Sequence, residues 1–309
     1  MTTILKQIGE NFELQVVSSD FEEKDFLLSN FSCEGEEARL DFYLLKKGKK
    51  KAEISFSVSK ESVATSLPMA PFGGFFISDK LHSDVLSDFL NAIVAHLGDL
   101  KIKEVVIIQA PKPYEEYQDL MGYLLFKSHF EPKEVLSHQF FLGRKKIKKF
   151  LQQEQGKFQQ RLKDAGVSIE KSTIGNFYFL QHIKSWNQQR GYTVNHDENR
   201  IIQQVSEYPD RYFLINLIKD EMPVGHCLGV KLTSDSLYYF LSAINPKMTI
   251  KYGGELMLYQ LFKVAAEQKV DFIDLGSSDL GSEPNHSLLF FKSRFSNDIS
   301  NKITWAKSL

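Results

Sequence analysis

The side chains best equipped for chemistry gather in the last third of the chain. Gly253 and Gly254 stand between an apolar strand-like run and a helical one. Residues without Cβ let backbone amides converge on one point, and a helix N-terminus adds partial positive charge there. A diphosphate would fit such a turn, with Lys251 as counter-charge and Glu255 in the opening turn. A plain helix-entry turn fits the same residues equally well. Asp274, Ser277 and Ser278 lie at the end of a short buried strand. Asp274 alternates with Phe272, so it either faces a crevice as a proton acceptor for an attacking ammonium or caps nearby amides. The serines would assist it or cap the next turn. Tyr238 and Tyr239 are neighbours on a strand and point to opposite faces. Either hydroxyl, like those of Tyr252 and Tyr259, is a candidate acid, although most strand tyrosines serve packing.

Asn285 reads as the N-cap of the last helix. Lys292 follows on that helix between aromatics, either facing substrate or covering Phe291 with its stem. Arg144, Lys145, Lys146, Lys148 and Lys149 form a basic cluster that would hold a phosphorylated substrate or tRNA; a solvated helix face is the commoner meaning of such a run. The lysines of Lys46-Lys47-Gly48-Lys49-Lys50-Lys51 read as a charged hairpin turn that discourages edge pairing. His182, His196 and His226 have no metal-ligand spacing and read as core or surface histidines. No Ser-His-Asp order, P-loop or zinc motif is present, so no metal is expected.

These residues need elements to position them. In the second half, 144–165 carries Ile147, Leu151, Phe158 and Leu162 on one helical stripe. A strand at 167–170 and helices at 176–189 and 197–207 follow. Strands at 212–218, 224–232 and 237–243 are separated by turn residues and suit an antiparallel meander. A helix after Gly254 places Leu258, Leu261, Phe262 and Ala265 on one face. A strand at 271–275, a helix at 286–295 and a strand at 303–306 complete the set. The first half runs in parallel: strands at 12–17, 38–46, 51–58 and 72–77, a helix through Leu86, Phe89, Leu90 and Ile93, a strand at 105–108, a helix over 114–130 and a strand near 136–142. Only 21–28 leaves room there for the early helices. Phe126-Lys127-Ser128-His129-Phe130 echoes Phe291-Lys292-Ser293-Arg294-Phe295 at the same place in the order. The chain therefore reads as one α/β unit used twice, divided into 1–143 and 144–309 near Gly143. The strand before the last helix is expected to pair parallel with the strand before the preceding helix and to splay from it, and ligands favour such a crevice.

Bulk properties narrow the function classes. A length of 309 residues suits two domains. A net charge of −1 gives no global pull toward nucleic acid or membrane. Cys33 and Cys227 lie one in each half and suggest no disulfide framework. The first residues lack a signal peptide's apolar stretch and no run reaches the length of a membrane span, so the expectation is a cytoplasmic protein.

The element order resembles the GNAT N-acyltransferase fold, and the chain is similar to a tandem GNAT protein, within that superfamily most like the FemAB-like bacterial acyltransferases. Residues 158–170, 177–192, 250–276 and 285–295 carry the resemblance. It implies an α/β (α+β) fold of two tandem GNAT-like domains, each a mixed, mostly antiparallel sheet flanked by helices, the first domain degenerate. It implies transfer of an acyl group from acetyl-CoA or another acyl-CoA to an amine by direct attack, with an oxyanion held by a backbone amide near Ser242–Ala243. The donor would lie across Lys251, Gly253, Gly254 and Glu255, with Asn285 and Lys292 close by. Asp274, Tyr239 and Ser277 would be catalytic. The acceptor, a small molecule or a peptidoglycan precursor, would sit toward Trp186 and Tyr192. Two departures stand out: only part of the pyrophosphate signature survives, and Phe290 and Phe291 replace the tyrosine that protonates the leaving thiolate. Two alternatives stay open: an aminoacyl-tRNA-dependent transferase acting on a cell-wall precursor, and a non-catalytic ligand-binding module.

Overall fold

A computed structural model describes residues 3–9, 11–18, 36–68, 70–192 and 197–309. The segment 21–28, Cys33 and His196 lie outside them. The chain forms two compact units, residues 1–137 with 300–309, and residues 138–299. The division falls at Ser137/His138 rather than at Gly143. The last residues belong with the first unit because their strand pairs with one there.

The first unit contains β1 (Thr3–Ile8), β2 (Phe12–Ser18), β3 (Glu36–Lys46), β4 (Lys49–Ser59), β5 (Val63–Ser66), β6 (Phe76–Ile77), α1 (Ser83–Asp99), β7 (Glu104–Gln109), α2 (Gln118–Lys127) and the first part of β8 (Glu131–Leu142). β1 to β4 form an antiparallel meander. Its Lys47-Gly48 turn has both residues at positive φ, 53° and 72°, the backbone twist that closes a two-residue hairpin. β5 then pairs parallel with β7. Leu86, Phe89, Leu90, Ile93 and Leu97 give α1 one buried face.

Two expectations for this unit are corrected. The strand expected over 72–77 is reduced to its last two residues, β6. Gly73 and Gly74 form a loop, and pairing falls instead on β5 and the short β6. The helix expected over 114–130 is only α2, because Tyr114 and Glu115 donate into turns closed by the Pro111 and Lys112 carbonyls.

The second unit contains α3 (Arg144–Ala165), β9 (Ser168–Ser172), α4 (Tyr178–Gln189), α5 (Glu198–Glu207), β10 (Tyr212–Lys219), β11 (Met222–Val230), β12 (Ser236–Ile244), α6 (Gly253–Glu267), β13 (Phe272–Asp274), β14 (Asp279–Leu280), β15 (Glu283–Pro284) and α7 (His286–Ser293). β16 (Asp298–Ser308) starts there and pairs with β7 further on. The strand order is β8-β13-β12-β11-β10-β9, antiparallel except for the parallel pair β12–β13. The β10–β11 turn places Asp220 and Glu221 at positive φ, as a tight hairpin requires. α3 and α6 pack together, with Phe158 stacked on Tyr259 at 4.0 Å. Ile147 is buried, whereas Arg144, Lys145, Lys146, Lys148 and Lys149 are exposed, so the basic run is a solvated helix face, with Arg144 3.0 Å from Asp271. Both units share the mixed α/β plan: a mostly antiparallel sheet with helices packed on it.

Candidate active site

The site begins where two strands part. β12 and β13 run parallel from Ser236 opposite Phe272 to Tyr238 opposite Asp274. The chain then turns away at Gly276, whose φ is +73°. A Cβ there would also crowd the Tyr238 ring at 3.2 Å, so a side chain at this turn would be strained. β12 continues to Ile244 with no strand partner on that side among the described residues. Opposite β11 its register slips between Leu228 and Gly229, so Phe240 is bulged out. This fork lies where the strand order predicts the two strands to splay, and its open half carries backbone groups that no ladder uses.

Polar side chains line its base. Asp274 is 1% exposed. Its Oδ1 accepts from the Gly276 amide at 2.7 Å, and both carboxylate oxygens lie 3.2 Å from His138 Nδ1. Asp274 therefore caps an amide, one of its two sequence readings, and pairs with His138. Register puts Tyr238 beside Asp274, and Tyr239 on the opposite face. Burial pushes both phenols up, with the Asp274 charge adding to the effect on Tyr238. The Tyr239 hydroxyl donates to Ser242 Oγ at 2.6 Å, and its ring packs in the core against α6. Tyr238 is thus the tyrosine next to the carboxylate, and Tyr239 is held away from it.

Lys292 is buried at 4% exposure and donates to the Gly276 and Ser277 carbonyls. It is not the solvated lysine of one sequence reading. Burial lowers its ammonium from 10.5 to about 8, against the opposing pull of Asp274 and Asp279. Ser277 thus enters through its carbonyl. Ser278 Oγ, Asp279 Oδ2 and Gln139 Oε1 are buried without hydrogen-bond partners. Three such atoms in one strand-loop neighbourhood mark a polar interior suited to water or a polar ligand.

The glycine turn is more crowded than its sequence implies. Tyr252 takes a left-handed φ of 59° and α6 starts at Gly253. A Cβ on Gly253 would meet Ile244 Cδ1 at 2.6 Å, and one on Gly254 would meet Phe291 Cζ at 2.9 Å. Glu255 pairs with Arg294 at 3.3 Å, and Lys251 is exposed. Asn285 is the N-cap of α7, accepting from the Leu288 amide at 3.0 Å. Its side chain is committed to that role. Phe291 packs on Gly254 and Phe295, while Phe290 is 71% exposed.

On the helix side, Trp186 is buried and stacks on two imidazoles, so its ring serves the interior before any substrate. Tyr192 is exposed at 37%. His182 and His226, read from sequence as unremarkable, form a hydrogen-bonded pair at 3.0 Å. His138 was not singled out at all; its alternation with Phe140 on one strand was the available signal. Among the described residues no group of His, Cys, Asp or Glu is arranged to hold a metal ion.

No family model matches the sequence, and no curated protein matches it. Solved structures do. A structure described as FemX is 12% identical with a TM-score of 0.65, covering 89% of each chain. A tandem GNAT protein from the clavulanic acid biosynthesis pathway is 10% identical with a TM-score of 0.54, covering 90% of this chain and 85% of that one. The C-terminal domain of a putative lysylphosphatidylglycerol synthetase from Agrobacterium fabrum is 10% identical with a TM-score of 0.54, covering 83% and 81%. At these identities the likeness is one of fold: the chain has the tandem GNAT fold. No described helix is long and apolar enough to cross a membrane.

Proposed function

We propose that the second unit is an acyltransferase that moves an acyl group from a thioester, acyl-CoA, to an amine by direct attack. The observation that carries this reading is the fork itself, an unpaired strand half ending at a buried Asp274–His138 pair with Lys292 behind it. The thioester lies along β12, where a free backbone amide in the Ser242–Ala243 region takes the developing oxyanion. Asp274 and Tyr238 orient the acceptor at the base of the fork. Lys292, whose ammonium burial lowers to about 8, is poised to share a proton near neutral pH. The donor's diphosphate meets the first amides of α6, which have no intrahelical acceptor, and Lys251.

One observation favours a second donor. Phe291 sits over Gly254, and the Glu255 carboxylate occupies the same helix turn. Both are unfavourable to a diphosphate and suit a donor that places none there, such as the aminoacyl ester of a tRNA acting on a cell-wall precursor. Calorimetric titration with CoA and acetyl-CoA at low salt decides between them. Micromolar binding, about −8 kcal/mol, that weakens in Lys251→Glu supports acyl-CoA. No binding by the folded protein, together with a tRNA mobility shift, supports the second donor. Lys251 is exposed, so this variant leaves packing intact; Gly254→Trp would strike Phe291 and confound the result.

A further inference from the structure

α4 carries Phe179, His182, Ile183 and Trp186 at helical spacing, on the face it turns to the sheet. The ring of Trp186 stacks on His226 at 5.2 Å and 7°, and on His182 at 4.9 Å and 13°. His182 Nδ1 lies 3.0 Å from His226 Nε2, and His226 Nδ1 lies 2.7 Å from Asn216 Oδ1. The Asn216 amide is turned so that Nδ2 donates to Ser172 Oγ at 3.0 Å. The Ser172 hydroxyl can donate or accept, so the proton order along the chain is assigned from this amide orientation. Asn216 Oδ1 accepts, so His226 carries its proton on Nδ1. His226 Nε2 then accepts, so His182 carries its proton on Nδ1 and leaves Nε2 as a lone pair. Among the described residues His182 Nε2 has no hydrogen-bond partner, and His182 is half-buried, whereas His226 is 4% exposed. Burial, with His182 close by, lowers His226 to about 4, which keeps it a neutral acceptor at neutral pH.

The pair packs beside β12, the strand whose far half is the open side of the fork. His226 stands opposite Ala243 in the β11–β12 register, and Asn187, also on α4, donates to the Ser242 carbonyl at 3.1 Å. Packing alone would not require a relay of four polar side chains ending on a half-exposed imidazole nitrogen.

We propose that His182 Nε2 is the general base of the transfer reaction and that His226, Asn216 and Ser172 are positioning residues that fix its tautomer. The inference rests on the acyl-transfer reading above. His182 Nε2 takes a proton from the acceptor's ammonium, and the freed amine nitrogen bonds to the carbonyl carbon. The carbon–sulfur bond breaks, its electron pair leaves on sulfur, and the second proton shed by nitrogen passes through solvent to the thiolate. The imidazolium formed on His182 keeps its Nδ1–H on His226 Nε2, a charge-assisted bond.

Two measurements on the full chain test this. Ring nitrogen NMR needs no substrate: both histidines should show the Nδ1–H tautomer at neutral pH, and an Nε2–H tautomer on His182 overturns the assignment. With acetyl-CoA as donor, His182→Gln should slow transfer to L-lysine about 100-fold. It should spare transfer to hydroxylamine, a nucleophile already unprotonated at neutral pH, and leave acetyl-CoA binding unchanged. His226→Gln should retain binding and lose transfer partly. Equal losses with both nucleophiles, or none with lysine, overturn the proposal. Failure of the underlying reading shows separately, as wild-type protein that does not bind acetyl-CoA, and the tautomer result then still decides the proton arrangement.

Discussion

Each unit contains a parallel strand pair that ends in a fork, and the two forks have opposite fates. In the first unit β5 pairs with β7 from Val63 opposite Glu104 to Thr65 opposite Val106. The loop that follows turns back into the gap: Gly73 bridges Gln109, its amide donates to the Ile108 carbonyl at 2.8 Å, and Ser66 Oγ accepts from Ile108 and Gly74. Gly73 lies so close that a Cβ would meet the Ser66 carbonyl oxygen at 2.7 Å. In the second unit no described strand pairs with β12 beyond Tyr238 on the β13 side, and the base of the gap carries Asp274, His138 and Lys292. The echoed pentads diverge likewise: Lys127 is exposed beside Tyr123, while Lys292 is buried. The same backbone plan becomes a structural seam where glycines close it and stays open where Asp274, His138 and Lys292 line it, the place proposed above for the reaction.

The largest expected effect breaks the comparison on the open side. Asp274→Asn should lower acyl transfer by about 10²-fold, the cost of a misplaced acceptor, in steady-state turnover with acetyl-CoA. A variant with full activity and a normal fold would remove the carboxylate from the mechanism. On the closed side, Gly73→Val forces a side chain against backbone and should cost about 1–3 kcal/mol in urea unfolding. Acetyl-CoA titration of that variant should match the wild type.

A third prediction concerns the buried lysine. A lysine lowered from 10.5 to about 8 binds fewer protons folded than unfolded within that window, so stability rises with pH there. Chemical denaturation should show wild type gaining on Lys292→Met by up to about 1.4 kcal/mol per pH unit between those values. A constant difference would mean that Lys292 titrates normally. The smallest effect belongs to its echo: Lys127→Ala should change stability by less than about 0.5 kcal/mol and leave turnover unaltered.

Much of this architecture is written locally in the chain. Leu258, Leu261, Phe262 and Ala265 announce α6, and the Asp220 and Ser234–Asp235 turns announce the meander of β10, β11 and β12. The fork followed from strand order alone. β5 was missed because four residues carry little periodicity and are held by distant partners, β4 and β7. The burial of Lys292 was unreadable for a similar reason: its acceptors, the Gly276 and Ser277 carbonyls, arrive from another segment. Gly253-Gly254 suggested an open cradle, because a sequence shows the missing Cβ atoms but not the Ile244 and Phe291 side chains that fill their space. The histidine relay escaped because His182, His226, Asn216 and Ser172 come from four separate elements.

The contrast between the forks is tested most directly by hydrogen–deuterium exchange of the full chain with and without acetyl-CoA. Protection confined to Tyr239–Ile244 and the first turn of α6, with 63–75 and β7 unchanged, is the predicted result. Protection in the first unit's fork, or none in the second unit when acetyl-CoA is saturating, would contradict it.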